Sequence, residues 1–248
     1  MKKSIFLWVV FCLLFFGSLL ADVVLNENFD GDDYVTGEVL VRGKSIKSAY
    51  GAVYCVMEGA AVCKPVEDKA LSAPRSMSLT IDVAPENKSQ ISFSFGPGRG
   101  DAQPVTEAME VSLAFYLSSL ENSVNVVVRD FSHHNAAYVL LGGAKKTIQV
   151  SFDGKWQDIF TEEQGLKVNQ WYYLRIQLSN IAANEKTYFV TVLGEDHKTV
   201  LGSGLQTGNF SNMEAVGEYS YLSIYDANSG GTKPVVDYFD NVTAKTGL

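Results

Sequence analysis

Val111-Ser112-Leu113-Ala114-Phe115-Tyr116-Leu117 alternates apolar side chains with small or polar ones along most of its length. A period of two marks a strand with one buried face, because successive side chains leave a strand on opposite sides. The same alternation recurs on both flanks. Upstream it runs through Met77, Leu79, Ile81 and Val83, spaced by Ser78, Thr80 and Asp82, and through Ile91, Phe93 and Phe95, spaced by serines. Downstream it returns at Tyr172, Leu174, Ile176 and Leu178, then at Tyr188, Val190 and Val192, then at Leu222 and Ile224. Turn clusters separate the runs: Asp30-Gly31-Asp32-Asp33, Gly96-Pro97-Gly98, Gly142-Gly143, Asp153-Gly154 and Asn228-Ser229-Gly230-Gly231. Asp153-Gly154 predicts a hairpin between 148–152 and 156–160. Helical periodicity is missing apart from a turn over 161–165. Many short, evenly punctuated strands predict an all-β chain, with a two-sheet antiparallel jelly-roll sandwich as its form.

The N-terminus is of a different kind. Met1-Lys2-Lys3 is positive, Ile5 to Phe16 is unbroken and apolar, and Leu19-Leu20-Ala21 puts a small residue before Asp22. That order predicts a cleaved signal peptide over residues 1–21. The apolar run is shorter than the roughly 20 residues a spanning helix needs. Residues 22–248 then read as one secreted domain, periplasmic or extracellular. No later stretch is long and apolar enough for a membrane helix. Cleavage leaves 18 basic against 28 acidic residues, a formal charge of −10. With no basic run longer than Lys145-Lys146, nucleic acid is excluded as a partner, because phosphate contacts need clustered Lys and Arg. Cys12 leaves with the signal, and the remaining Cys55 and Cys63 are expected to bridge in an oxidising compartment.

Three further stretches belong together. The domain opens with Leu25-Asn26-Glu27-Asn28-Phe29-Asp30-Gly31. Its middle carries Asn169-Gln170-Trp171-Tyr172-Tyr173-Leu174-Arg175-Ile176, followed by Tyr188-Phe189-Val190-Thr191-Val192. It closes with Asp237-Tyr238-Phe239-Asp240-Asn241-Val242. In order and spacing this resembles the concanavalin A-like lectin/glucanase superfamily, especially its laminin G-like jelly rolls. The resemblance implies that the opening segment pairs near the closing strand and that the Trp171 strand leads a late hairpin. The end segments also fit carbohydrate-binding modules with a galactose-binding-like jelly roll; the Trp171 strand favours the first family. A structural Ca2+ tying the two ends is further implied, held by Glu27, Asp30 and Asp240 with backbone carbonyls.

What the resemblance implies about function is a non-catalytic domain that holds a polysaccharide or other glycan on one sheet face. Two alternatives stay open: a structural or adhesive domain binding a cell-surface protein, and a polysaccharide lyase or glycoside hydrolase. Catalytic relatives use carboxylates two apart on one strand, or Arg-rich, Gln-x-His and Tyr-x-Lys-x-Gly signatures, and none of these occurs. Glu107 and Glu110 are three apart and point to opposite faces of a strand. Arg129-Asp130-Phe131-Ser132-His133-His134, with Tyr138 beyond, leaves an apolar strand at 124–128 and predicts a loop at a sheet end. Arg129 and His133 are candidates to bond sugar hydroxyls or a uronate carboxylate; without a third ligand the histidines make a poor metal site. Trp156, Tyr116, Tyr138, Tyr221 and Tyr225 are candidate stacking platforms, with Trp171 expected at the sandwich edge. Arg99-Gly100-Asp101 and the sequons at Asn87, Asn209 and Asn241 are short matches of low specificity.

Overall fold

The computed structural model describes residues 22–40, 45–48, 51–58, 62–72, 74–81, 88–95, 104–152, 155–207, 217–226 and 233–247. They contain sixteen strands, and no helix occurs among them. In chain order the first eight are β1 (Val23–Glu27), β2 (Ser45–Ser48), β3 (Gly51–Glu58), β4 (Cys63–Val66), β5 (Ser76–Ile81), β6 (Lys88–Phe95), β7 (Met109–Tyr116) and β8 (Ser123–Arg129). The second eight are β9 (Asn135–Gly142), β10 (Thr147–Phe152), β11 (Lys155–Thr161), β12 (Trp171–Leu178), β13 (Thr187–Leu193), β14 (Val200–Thr207), β15 (Tyr221–Asp226) and β16 (Val235–Thr246).

Two antiparallel sheets result. Sheet A runs β14-β13-β12-β7-β16-β5-β4, with β1 also paired to β16, and sheet B runs β11-β10-β9-β8-β15-β6-β3-β2. The last two strands enter the middles of the sheets: β16 sits between β7 and β5, and β15 between β8 and β6. Such crossings between sheets are the topology of a jelly roll. The opening strand lies on the closing one, with Asn26 opposite Thr243 and Glu27 opposite Val242. The Trp171 strand, β12, leads the β12–β13 hairpin. The strands expected to flank Asp153-Gly154, β10 and β11, also pair antiparallel, with Phe152 opposite Lys155.

Alternation decides what is buried. Val111, Leu113 and Phe115 from sheet A, and Val124, Val126 and Val128 from sheet B, are fully buried in one core. Each such side chain contributes about 1.5–3 kcal/mol on leaving water. Where the sheets close on one side, β14 meets β11 so tightly that a Cβ on Gly202 would lie 2.1 Å from the Ile159 carbonyl oxygen. Trp171 opens β12 on the outer face of sheet A, 5.5 Å from the Tyr116 ring, rather than at an edge of the sandwich.

Candidate functional site

The outer face of sheet B gathers the side chains with site chemistry. Because Val124, Val126 and Val128 point inward, Asn125, Val127 and Arg129 of β8 point outward. On β15, inward Leu222 and Ile224 turn Tyr221, Ser223 and Tyr225 out. Register then assembles rows across the strands. One row is Gln90, Tyr225, Asn125, Leu140, Gln149 and Asp158. The next is Ser92, Ser223, Val127 and Tyr138, and a third places Ser94, Tyr221, Arg129 and Asn135 together. Trp156, opposite Ser151, faces the same way and meets the Tyr138 ring edge-on at 5.0 Å.

A polar network holds these groups. Arg129 donates from Nε to Asn135 Oδ1 at 2.9 Å and from Nη2 to the Tyr225 hydroxyl at 3.0 Å, with its guanidinium 5.1 Å from the Tyr225 ring centre. The Tyr225 hydroxyl in turn engages the Tyr138 hydroxyl. Tyr221 is bonded to His133 Nδ1 and is also reached by Arg129. Burial pushes the Tyr138 phenol far above its usual range, the Tyr225 hydroxyl adds to this, and Arg129 opposes it. Burial likewise raises Tyr221. Both phenols therefore stay protonated near neutral pH and act as hydrogen-bond donors, not bases. Further along, Thr147 and Gln149 donate to Asp158 Oδ1, and Lys145 lies 3.9 Å from its other oxygen.

One group in this face lacks what it needs. Asn125 is only 4% exposed, and its Oδ1 has no hydrogen-bond partner among the described residues. A buried acceptor left unmade costs about 1–3 kcal/mol. It lies opposite Tyr225 and diagonal to Tyr138, inside the polar face. Trp156 is 37% exposed at the open end of the same face. Aromatic platforms and fixed donors together can bind a hydroxyl-rich ligand.

The outer face of sheet A is arranged differently. Tyr116, Trp171 and Tyr173 are buried there in a second apolar cluster with Leu193, flanked by Leu71 and Tyr238. Lys69 lies 5.4 Å from the Tyr116 ring centre. These rings are spent on one another, so Tyr116 does not join the sheet B aromatics.

Other expected site residues divide. His133 comes to the site through Tyr221, whereas His134 turns back to Asp130, donating N–H to Oδ1 at 2.8 Å with Nδ1 2.7 Å from Oδ2. Glu27, Asp30 and Asp240 are not brought together. Glu27 shares the inward side of β1 with Leu25, while Asp240 leaves β16 on the side opposite Phe239. Asp240 accepts from the Leu71 and Ser72 N–H groups, the Ser72 hydroxyl and the Asn241 N–H. Asp30 accepts from the Arg75 N–H at 3.1 Å, and Glu27 from the Phe29 N–H at 2.8 Å. Donors stand where calcium would want open oxygens, and no metal-binding group of three His, Cys, Asp or Glu occurs among the described residues. These three residues do not fit the ion.

Cys63 is buried on β4 in sheet A and Cys55 belongs to β3 in sheet B. The Cys55 side chain, and with it the expected bridge, lies outside the described residues, as do Arg99-Gly100-Asp101 and the sequons at Asn87 and Asn209. Sequence reasoning missed Asn125, Asn135 and Asp158 as parts of the site. Asn125 carries a signal, being the one polar residue within Val124–Val128.

The fold and site define a two-sheet jelly-roll sandwich with a polar, aromatic outer face. No known protein family and no curated protein matches the sequence. Among solved structures, the chain is similar to an endo-β-1,4-glucuronan lyase from the fungus Trichoderma reesei, with TM-score 0.52 and 10% identity over 83% of this chain and 96% of that one. A sialidase is matched with TM-score 0.52 and 10% identity over 71% of this chain, which spans 16% of that protein. The binding domain of botulinum neurotoxin DC, solved with rat synaptotagmin II, is matched with TM-score 0.50 and 8% identity over 90% of this chain and 48% of that one. At such identities the likeness is one of fold, and these neighbours are β-sandwiches.

Proposed function

We propose that the protein is a carbohydrate-binding domain that holds a glycan across the outer face of sheet B. The observation that carries the reading is the Tyr138–Trp156 ring pair, 5.0 Å apart, set beside the Arg129–Tyr225 donors. Pyranose C–H faces pack on such rings while their hydroxyls bond the polar rows.

The reading takes the sandwich as concanavalin A-like, in laminin G-like form; the pairing of the opening strand with the closing one and the hairpin led by the Trp171 strand support it. Export follows from the signal-like residues 1–21, and the Cys55–Cys63 bridge from that compartment. Among the described residues no helix is long and apolar enough to cross a membrane.

Retention of the purified protein on a broad panel of polysaccharides, read for both binding and new chain ends, tests the reading. Binding without new ends is expected. Cleavage would replace it with a lyase or hydrolase assignment, and silence across the panel would transfer the role to a protein partner.

A further inference from the structure

Arg129 is half-buried on a β-sheet face and makes no ion pair among the described residues. Neutral atoms take its donors: Asn135 Oδ1 at 2.9 Å, the Tyr225 hydroxyl at 3.0 Å and the Tyr221 hydroxyl. The Tyr225 ring lies beneath it at 5.1 Å. Among the described residues it pairs with no carboxylate, although its sequence neighbour is Asp130. Asp130 is turned away and spent on His134, whose Nδ1 is 2.7 Å from Oδ2. By contrast, Arg175 on the outer face of sheet A has Glu110 at 3.7 Å, and Lys145 at the far end of sheet B has Asp158 at 3.9 Å.

A guanidinium has five N–H donors in a planar fork. Here neutral partners fix its plane and leave part of the fork for something else. Holding a cation rigid among phenols without a counter-charge costs solvation that these neutral bonds only partly return. An incoming carboxylate returns more, because charge-assisted bonds to a pre-oriented fork are about twice as strong as neutral ones.

Resting on the glycan reading above, we infer that the ligand is a carboxylated glycan, its acid group seated on Arg129 and the neighbouring sugars running over Tyr138 to Trp156. Strands are spaced about 4.8 Å apart, so β8 to β11 spans about 14 Å. That length suits a short oligosaccharide segment lying across the strands rather than a single sugar. The chain's net charge of −8 sets its long-range field against polyanions. Attraction is therefore local to Arg129, and densely charged sulfated polymers are disfavoured. For the same reason affinity falls only shallowly with salt, unlike multi-site phosphate binding.

Titration calorimetry with polyuronates and polysialic acid, each beside its carboxyl-reduced neutral counterpart, and with dextran sulfate, tests the inference. Wild-type protein is expected to bind one acidic polymer at least about tenfold more tightly than its reduced form. Arg129→Gln removes that preference, and Arg129→Lys restores part of it. Equal affinity for an acidic polymer and its reduced form would overturn the inference, as would a preference that survives Arg129→Gln or one for dextran sulfate. If Arg129→Gln fails to fold, the wild-type comparison of each pair still decides. Binding of neutral glycans alone sinks the carboxylate and leaves the glycan reading standing; binding of none sinks both.

Discussion

Asn125 and Glu27 each put a functional or structural demand on a buried polar atom. Asn125 Oδ1 is sealed in the sheet B face without a donor. Asn125→Val removes the orphaned acceptor and supplies a good strand former, so the melting temperature is expected to rise by a few degrees. A melt that falls instead would show that Oδ1 is satisfied in the folded protein. Glu27 is 4% exposed, and burial raises its carboxyl above 4.5, against the Phe29 N–H that lowers it. The folded state thus holds this proton more tightly than the unfolded chain does. Its cost to stability is absent below about pH 4.5, the ordinary value, grows as pH climbs through the raised one, and is full above it. Glu27→Gln is expected to raise the melting temperature at pH 8 and to gain little at pH 4; the opposite order would mean the carboxylate is favourably placed.

At the scale of elements, the closure of the sandwich depends on glycine in β14. A Cβ on Gly202 would stand 2.1 Å from Ile159 O and 2.9 Å from the Phe160 Cβ, and backbone cannot swing aside as a side-chain tip can. Gly202→Ala is expected to cost about 1–3 kcal/mol and to lower the melting temperature by roughly 2–10 °C. Gly217→Ala, where nothing lies within 4 Å, is the matched control. Equal melts for the two variants would show that β14 and β11 do not approach as described. Strand identity was legible in the sequence because alternation and burial agree: Val111, Leu113 and Phe115 point into the core as their spacing demands. Strand order was not legible. Nothing local in Tyr221–Asp226 says that it inserts between β8 and β6, yet that insertion puts Tyr225 beside Arg129.

For the whole molecule, the two outer faces differ, and the proposed glycan site is on sheet B. Sheet A folds Tyr116, Trp171 and Tyr173 into a buried cluster, whereas sheet B leaves Trp156 37% exposed beside a fixed guanidinium. The sequence named Arg129, His133, Tyr138 and Trp156 as candidates, and sheet order brings Arg129, His133 and Tyr138 into one network with Trp156 against Tyr138. It also offered Glu27, Asp30 and Asp240, but Glu27 faces inward on β1 while Asp240 leaves β16 on the side opposite Phe239, because a shared strand pair does not give side chains a shared face. The most direct measurement is the affinity of wild-type, Tyr138→Ala and Trp156→Ala proteins for a glycan the protein retains, with melting temperatures taken alongside. Each substitution is expected to weaken binding at least about fivefold, and Trp156→Ala to leave the melt nearly unmoved. Full affinity in both variants would contradict a glycan site on sheet B.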